Sequence, residues 1–400
     1  MRIDRLADPR QHYLTPLRQT PFHPRTGPAN VMNAWGAWGG YTTALVFQDE
    51  AMEYTAIRNA AAVYDLCPMV KYRIEGPDAA AYLNRLTLRN AGKLAVGSVH
   101  YTAWVSDAGH LLDDGTLFRL GDTRYRLCCQ ERHLPWLLDS AFGFDVSVSE
   151  ETEAIAALSL QGPTSYAVLA AAGFEVSALK PFRMTSFPLD GGEVMISRTG
   201  FTGDLGYELW TTPDQALALW DRLFAAGALH GIRPIGSTAL NTARIEAGFV
   251  ITGYDFIPAD ICVREDRLRS PLELGLGWLI DWDKGHFTGR AALKRQQREG
   301  TDWSFVGLEI DGNNPADGAI LYQNRKHEVG VITGACWSPM LKKSIALAQI
   351  RTAFAKDTNL WAEIYALREL HYAKMMMRAR VVERPFFTPD RRRATPPGRF

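Results

Sequence analysis

Between Gly97 and Gln130 the chain alternates short apolar runs with polar breaks: "GSVHYTAWVSDAGHLLDDGTLFRLGDTRYRLCCQ". Turn chemistry at Asp107-Ala108-Gly109 and at Gly121-Asp122 divides the runs, which predicts an antiparallel sheet. Elsewhere the period is helical. In "TTPDQALALWDRLFAAGALHG" the apolar positions 216, 219, 220, 223 and 224 share one helical face, with Thr212 as N-cap and Pro213 in the first turn. "GPDAAAYLNRLTLRN" opens a second helix on Pro77 and Asp78. Grouped strands with interspersed helices, and no regular βαβ repeat, predict an α+β fold.

The stretch "SRTGFTGDLGYELW" from Ser197 to Trp210 joins two strand-like runs through Gly200, Gly203 and Gly206. Glycines spaced by three and followed by a strand exclude a dinucleotide fingerprint, which needs a helix there. No Gly-Lys-Ser/Thr follows, and Asp204 and Glu208 would repel a phosphate. Composition alone permits a plain hairpin with Glu208 on its solvated face. Against that, Glu208 stands between Tyr207 and Leu209-Trp210, where a carboxylate is costly without donors. A ligand edge offering two parallel N–H groups, such as a pterin, would supply them.

A second acidic feature is "LLDDGTLF". Asp-Gly is a hairpin signal, but turns already flank this segment on both sides, and a third would leave very short strands. A plain turn stays open on composition, but the flanking turns favour Asp113 and Asp114 as a carboxylate pair within a strand or at its bend.

Composition changes this picture mainly by exclusion. Lys plus Arg and Asp plus Glu both number 44 in 400 residues, so no global field draws the chain to nucleic acid or an anionic membrane. The apolar fraction of 46% is that of a globular protein, and the length suggests two or three domains. With no long apolar run and no secretory leader pattern, a cytoplasmic protein is expected. The five cysteines form no Cys-x-x-Cys pair, so they read as reduced core thiols and no metal site is expected. The closing "TPDRRRATPPGRF" reads as a mobile basic end.

"GFTGDLGYEL" resembles the Gly-Tyr-Thr-Gly-Glu-x-Gly-x-Glu motif of the glycine cleavage T-protein (aminomethyltransferase) family, whose members bind tetrahydrofolate. Further blocks match in the same order, among them "YTAWVSDAGHLLDDGTLFRL", "LSLQGPTS", "ARIEAGFVITGYD", "PLELGLGWLIDWDKGHFTGRAAL" and "VGVITGACWSPMLKKSIALAQI". The resemblance implies a three-domain arrangement around a central folate channel. Residues 1–55 and 150–230 would form a folate-binding α+β domain, and 56–149 and 231–285 a second, interlocked one. A β-barrel would follow over 286–388, then the tail at 389–400. It also implies tetrahydrofolate as cofactor, Asp114 as catalytic carboxylate, Glu208 on the pterin edge, and Phe201 and Tyr101 in the folate site.

Three segments depart from the T-protein pattern. Leu240 in "LNTARIEAG" stands where the family often has an Arg near the folate glutamate tail. The donor-facing N-terminal region, "RQTPF" through "NAWGAWGGY", is closer to branches that demethylate small free substrates, and "ICVREDRLRS" is longer than usual. These departures favour a tetrahydrofolate-dependent demethylase of a small N-, S- or O-methylated compound. The alternatives are an aminomethyltransferase working with a carrier protein and a non-catalytic folate-binding accessory protein. Trp35, Trp38 and Tyr41 are the candidate rings for a cationic donor.

Overall fold

A computed structural model describes residues 16–398 of the chain. Two sheets and a barrel make up the frame. The six-stranded sheet runs Met184–Leu189, Gly192–Ser197, Gly206–Thr211, Ala156–Gln161, Ala61–Asp65 and Ile232–Pro234, antiparallel except at the last pair. Ala61–Asp65 and Ile232–Pro234 belong to this sheet although the sequence boundaries place both stretches in the other unit. The five-stranded antiparallel sheet runs Ser98–Val105, Leu111–Arg119, Arg124–Cys129, Val70–Glu75 and Ser147–Glu150. Its first three strands are those the alternating pattern predicts.

Helix Ala216–Gly227 seats Leu219 and Leu223, both fully buried, on the six-stranded sheet. Each such leucine contributes about 1.5–3 kcal/mol of apolar burial. Helix Ala79–Leu86 covers the five-stranded sheet through Tyr82, Leu83 and Leu86. A third cluster fills the seam between the sheets, with Ile57, Tyr64, Val99, Phe118, Ala157 and Trp210.

Strands from Trp303–Ile310 to His371–Val382 close into a six-stranded barrel. Its first strand begins later than the boundary at 286, because helix Arg290–Glu299 intervenes. Barrel residues Phe305, Ile345 and Leu347 pack against Val105, Leu111, Ile245 and Phe256. The functional side chains below lie where these three bodies meet.

The basic end differs from the mobile segment expected. Within 389–398, Arg391 forks onto both oxygens of Asp204 at 2.6 and 2.8 Å. Arg198 donates to Ala394 O at 2.6 Å and to Thr395 Oγ1 at 2.8 Å. Pairing with an acid inside the glycine-rich stretch fixes a segment whose composition alone suggests none. Among the described residues no helix is long and apolar enough to cross a membrane.

Candidate active site

Asp113 and Asp114 are consecutive residues of strand Leu111–Arg119, so their side chains leave opposite faces of the sheet. Asp113 is fully buried and has four donors: Asp114 N at 2.8 Å, Glu131 N at 3.0 Å, Thr252 Oγ1 at 2.5 Å and His133 Nε2 at 3.1 Å. Among the described residues Asp114 meets only two hydroxyls, Tyr101 Oη at 2.7 Å and Thr252 Oγ1 at 2.9 Å. Tyr101 reaches it from the neighbouring strand, since Tyr101 pairs with Thr116 and Ala103 with Asp114. Burial, and then the charge of Asp113, push the Asp114 carboxyl up to about 7, against the pull of its two hydroxyl partners. A carboxyl with that affinity exchanges protons at neutral pH.

Glu208 lies in strand Gly206–Thr211, across from Ser197 and Ser159. Thr199 Oγ1 donates to Oε2, and no described residue donates to Oε1. Burial lifts this carboxyl to about 7 as well, opposed by Thr199 and by the Lys71 ammonium. Phe201 stacks on Phe249 with ring centroids 5.6 Å apart. The glycines of the stretch serve its own packing: a Cβ on Gly200 or Gly206 would stand 2.1 Å from Gln161 Oε1, and Gly203 has φ +73°. Gln161 donates to Thr199 O and Tyr207 O and accepts from Thr202, threading the loop from within. The buried amide of Gln161 thus accounts for Gly200 and Gly206 without a ligand.

A denser set of charges borders the site. Asp49 caps helix Glu50–Asn59, which carries Tyr54 and Arg58 one turn apart on a single face. Both reach Glu246: Tyr54 Oη at 2.5 Å, Arg58 Nε and Nη2 at 2.9 and 2.6 Å. Ser338 of the barrel adds a fourth donor to Glu246 at 2.5 Å. Arg244, in the same helix as Glu246, pairs with buried Asp255 at 2.5 Å. Leu240 packs against the seam cluster.

The three candidate donor-binding rings are not brought together. They stand on the hairpin Ala34–Trp38/Tyr41–Val46, where Trp38 opposes Tyr41 and Trp35 opposes Ala44. Residues 35 and 38 face opposite sides of a strand. Trp38 accordingly stacks on Tyr64, while Trp35 lies 5.4 Å from the His23 ring and donates to Asn33. A single aromatic cage from all three is excluded; Tyr41 instead lines a cavity of about 590 Å³ with Arg18, Gln19, Cys67, Glu153 and Asp214.

Comparison with known proteins decides the family. Residues 29–284 match the GCVT N-terminal domain, and residues 304–388 match the glycine cleavage T-protein C-terminal barrel domain. The chain belongs to the glycine cleavage T-protein family. Its relatives include an aminomethyltransferase of Bacillus subtilis, 32% identical over 88% of this chain and 94% of the relative. Another, from Halothermothrix orenii, is 32% identical over 78% of this chain and 86% of the relative. The crystal structure of glycine cleavage system aminomethyltransferase T from Bartonella henselae superposes with a TM-score of 0.82 at 25% identity, covering 93% of this chain and 98% of that one. The family's three-body architecture with its C-terminal barrel is thus the architecture of this chain.

Tetrahydrofolate is the family's one-carbon acceptor, and the residues fit it. Glu208 keeps one oxygen without a donor among the described residues in a low-dielectric setting, which leaves it able to accept from a pterin N–H edge. Sequence reasoning missed Thr252 and His133, which are 139 and 20 positions from Asp113. Only the spelling "ERHL" after a strand end could have drawn attention to His133.

Proposed function

We propose that this transferase of one-carbon groups to tetrahydrofolate takes an aminomethyl group from a lipoyl carrier protein, with Asp114 managing the proton of the attacking amine. The observation that carries the reading is Asp114 itself: a buried carboxyl lifted to about 7 and held by Tyr101 beside a second, fully bonded carboxylate. In aminomethyl transfer the carbon–sulfur bond breaks, ammonia departs as ammonium, and two carbon–nitrogen bonds form on the folate. The two folate N–H protons end on the thiol and the ammonium. A carboxylate that accepts such a proton at neutral pH and returns it to the leaving sulfur suits that balance. Glu208 holds the pterin edge, Tyr101 fixes Asp114, and Phe201 borders the folate with Phe249. The naming of the relatives as aminomethyltransferases supports this donor above others.

One observation favours a second reading, a small methylated donor. The N-terminal segment that departs from the T-protein pattern lines a cavity of about 590 Å³ around Tyr41, a volume suited to a small compound, though none of Tyr101, Asp114, Phe201 and Glu208 lines it. Methyl transfer from a sulfonium or quaternary ammonium to the folate amine would release one proton, again to Asp114. The test supplies tetrahydrofolate with aminomethylated carrier protein in one arm and with methylated amines, sulfonium compounds and aryl ethers in the other. Formation of methylenetetrahydrofolate in the first arm alone supports the main reading. Methyltetrahydrofolate in the second arm alone replaces it.

A further inference from the structure

Thr252 stands between two carboxylates but has one hydroxyl hydrogen. Its Oγ1 is 2.5 Å from Asp113 Oδ1 and 2.9 Å from Asp114 Oδ1. If the hydrogen lies on the shorter contact, the longer one joins two lone-pair oxygens unless Asp114 carries a proton and donates it back. Asp113 also holds the N–H of Asp114 and of Glu131, and an ionised carboxylate can only accept, so His133 must present Nε2–H to it. The residue is seated for that: its backbone N–H donates to Tyr72 Oη at 2.6 Å, and its ring packs edge-to-face with Trp104, centroids 5.7 Å apart at 89°. Its Nδ1 lies 3.9 Å from Oδ2 of Asp260, which lines a cleft.

We infer that His133 is a positioning residue that decides which carboxyl of the Asp113–Asp114 pair carries the shared proton. Four donors make Asp113 the resident anion, and that anion makes its neighbour the proton-accepting partner. The groups facing the pair are Tyr101 from the adjacent strand, His133 and Glu131 from the segment after Arg124–Cys129, Asp255 and Thr252 from the loop after helix Ser237–Glu246, and the Cys129 thiol. Of these, His133 is the ring whose removal subtracts a donor from Asp113 without touching Asp114. The inference rests on Asp114 being the base in the proposed reaction, and the experiment separates the two.

The measurement is the pH dependence of kcat/KM for one-carbon transfer to tetrahydrofolate in His133→Phe, His133→Gln and Asp114→Asn. Phe keeps the ring against Trp104 and removes the N–H; Gln restores an N–H. With its donor gone, Asp113 takes the proton. The acidic limb in His133→Phe then moves to lower pH by about one unit, the scale of one hydrogen bond to a charged group, and His133→Gln returns it toward the wild-type position. His133→Leu, which also lacks the N–H, moves the limb the same way, a check that stands if the Phe variant fails to fold. An unmoved limb, or one displaced to higher pH, in the folded variants overturns the inference while leaving Asp114 as base if Asp114→Asn is inactive. An active Asp114→Asn overturns the functional reading itself.

Discussion

The seam around Glu246 and the pocket around Asp114 are both buried and rich in carboxylates, yet they are partnered in opposite ways. Glu246 receives Tyr54, Arg58 and Ser338, and Arg58 spends its remaining N–H groups on Thr202 O, Ala243 O and Asp204. Asp114 and Glu208 are served by hydroxyls and, among the described residues, by no ion pair, the Lys71 ammonium acting on Glu208 only from a distance. A charge surrounded by matched donors fixes geometry and has nothing left to exchange. A carboxyl given only hydroxyl partners keeps a proton affinity near neutrality and an oxygen for a ligand. The contrast separates architecture from chemistry more sharply than burial does.

The largest effect that would break the contrast is expected at Asp114. Asp114→Asn should lower kcat by about 10²–10⁴-fold while raising thermal stability at pH 8. A carboxyl raised from 3.8 to about 7 in the fold binds a proton that the unfolded chain releases, so it opposes folding increasingly as pH rises from about 4 to 7. Melting temperatures should therefore converge at pH 4 and favour the variant at pH 8; a less stable variant at pH 8 would contradict this environment.

Next comes the opposite region. Arg58→Met leaves buried Glu246 without its cation, though Arg391 still holds Asp204, and should cost about 3–5 kcal/mol in urea unfolding, with the pH midpoint of any residual activity unmoved. A shifted midpoint would join the two regions that the contrast keeps apart.

Smaller still is Glu208→Gln, expected to weaken tetrahydrofolate by about 10–100-fold, the size of one or two hydrogen bonds to a charged group. Wild-type affinity should strengthen as pH rises through about 7, where Glu208 ionises, and calorimetric titration of the Gln variant should show that dependence flattened. Equal affinity in the two proteins would remove Glu208 from the folate site.

The smallest effect is assigned to Arg391→Ala, about 1 kcal/mol because Asp204 retains Arg58 and the tail is partly exposed. Faster proteolysis near residue 391 without loss of folate affinity is the expected signature. Loss of affinity would make the tail part of the binding site.

Local rules carry much of this molecule. The strands Ser98–Val105, Leu111–Arg119 and Arg124–Cys129 follow from alternation and two turn signals, and Asp113 and Asp114 lie inside a strand because the turns on either side leave no space for another. Helix Ala216–Gly227 follows from its period, and the pairing of Ser197 with Glu208 from the glycines between the two runs. What escaped is long-range. Thr252 joins the carboxylate pair across 138 and 139 positions, and Arg58 meets Glu246 across 188, distances over which no periodicity speaks. The aromatic cage failed for a local reason that was available: spacing of three cannot place Trp35 and Trp38 on one face of a strand. The tail was misjudged because composition describes solvation, and Asp204 offered it a partner.

That partnership has a consequence for how the chain is made. Arg391 donates to Arg58 O across 333 positions, and its fork on Asp204 closes the same cluster. At about 5–20 residues per second, a ribosome needs roughly 17–67 seconds after placing Arg58 before Arg391 exists. From about Pro234, which ends the last strand of the two sheets, until Arg391 is made, their junction stands open, with Asp204 and the Arg58 face awaiting the segment that shuts it. The nascent protein therefore meets its chaperones and proteases as a finished pair of sheets with an unfinished seam, and the barrel must be synthesised before that vulnerability ends.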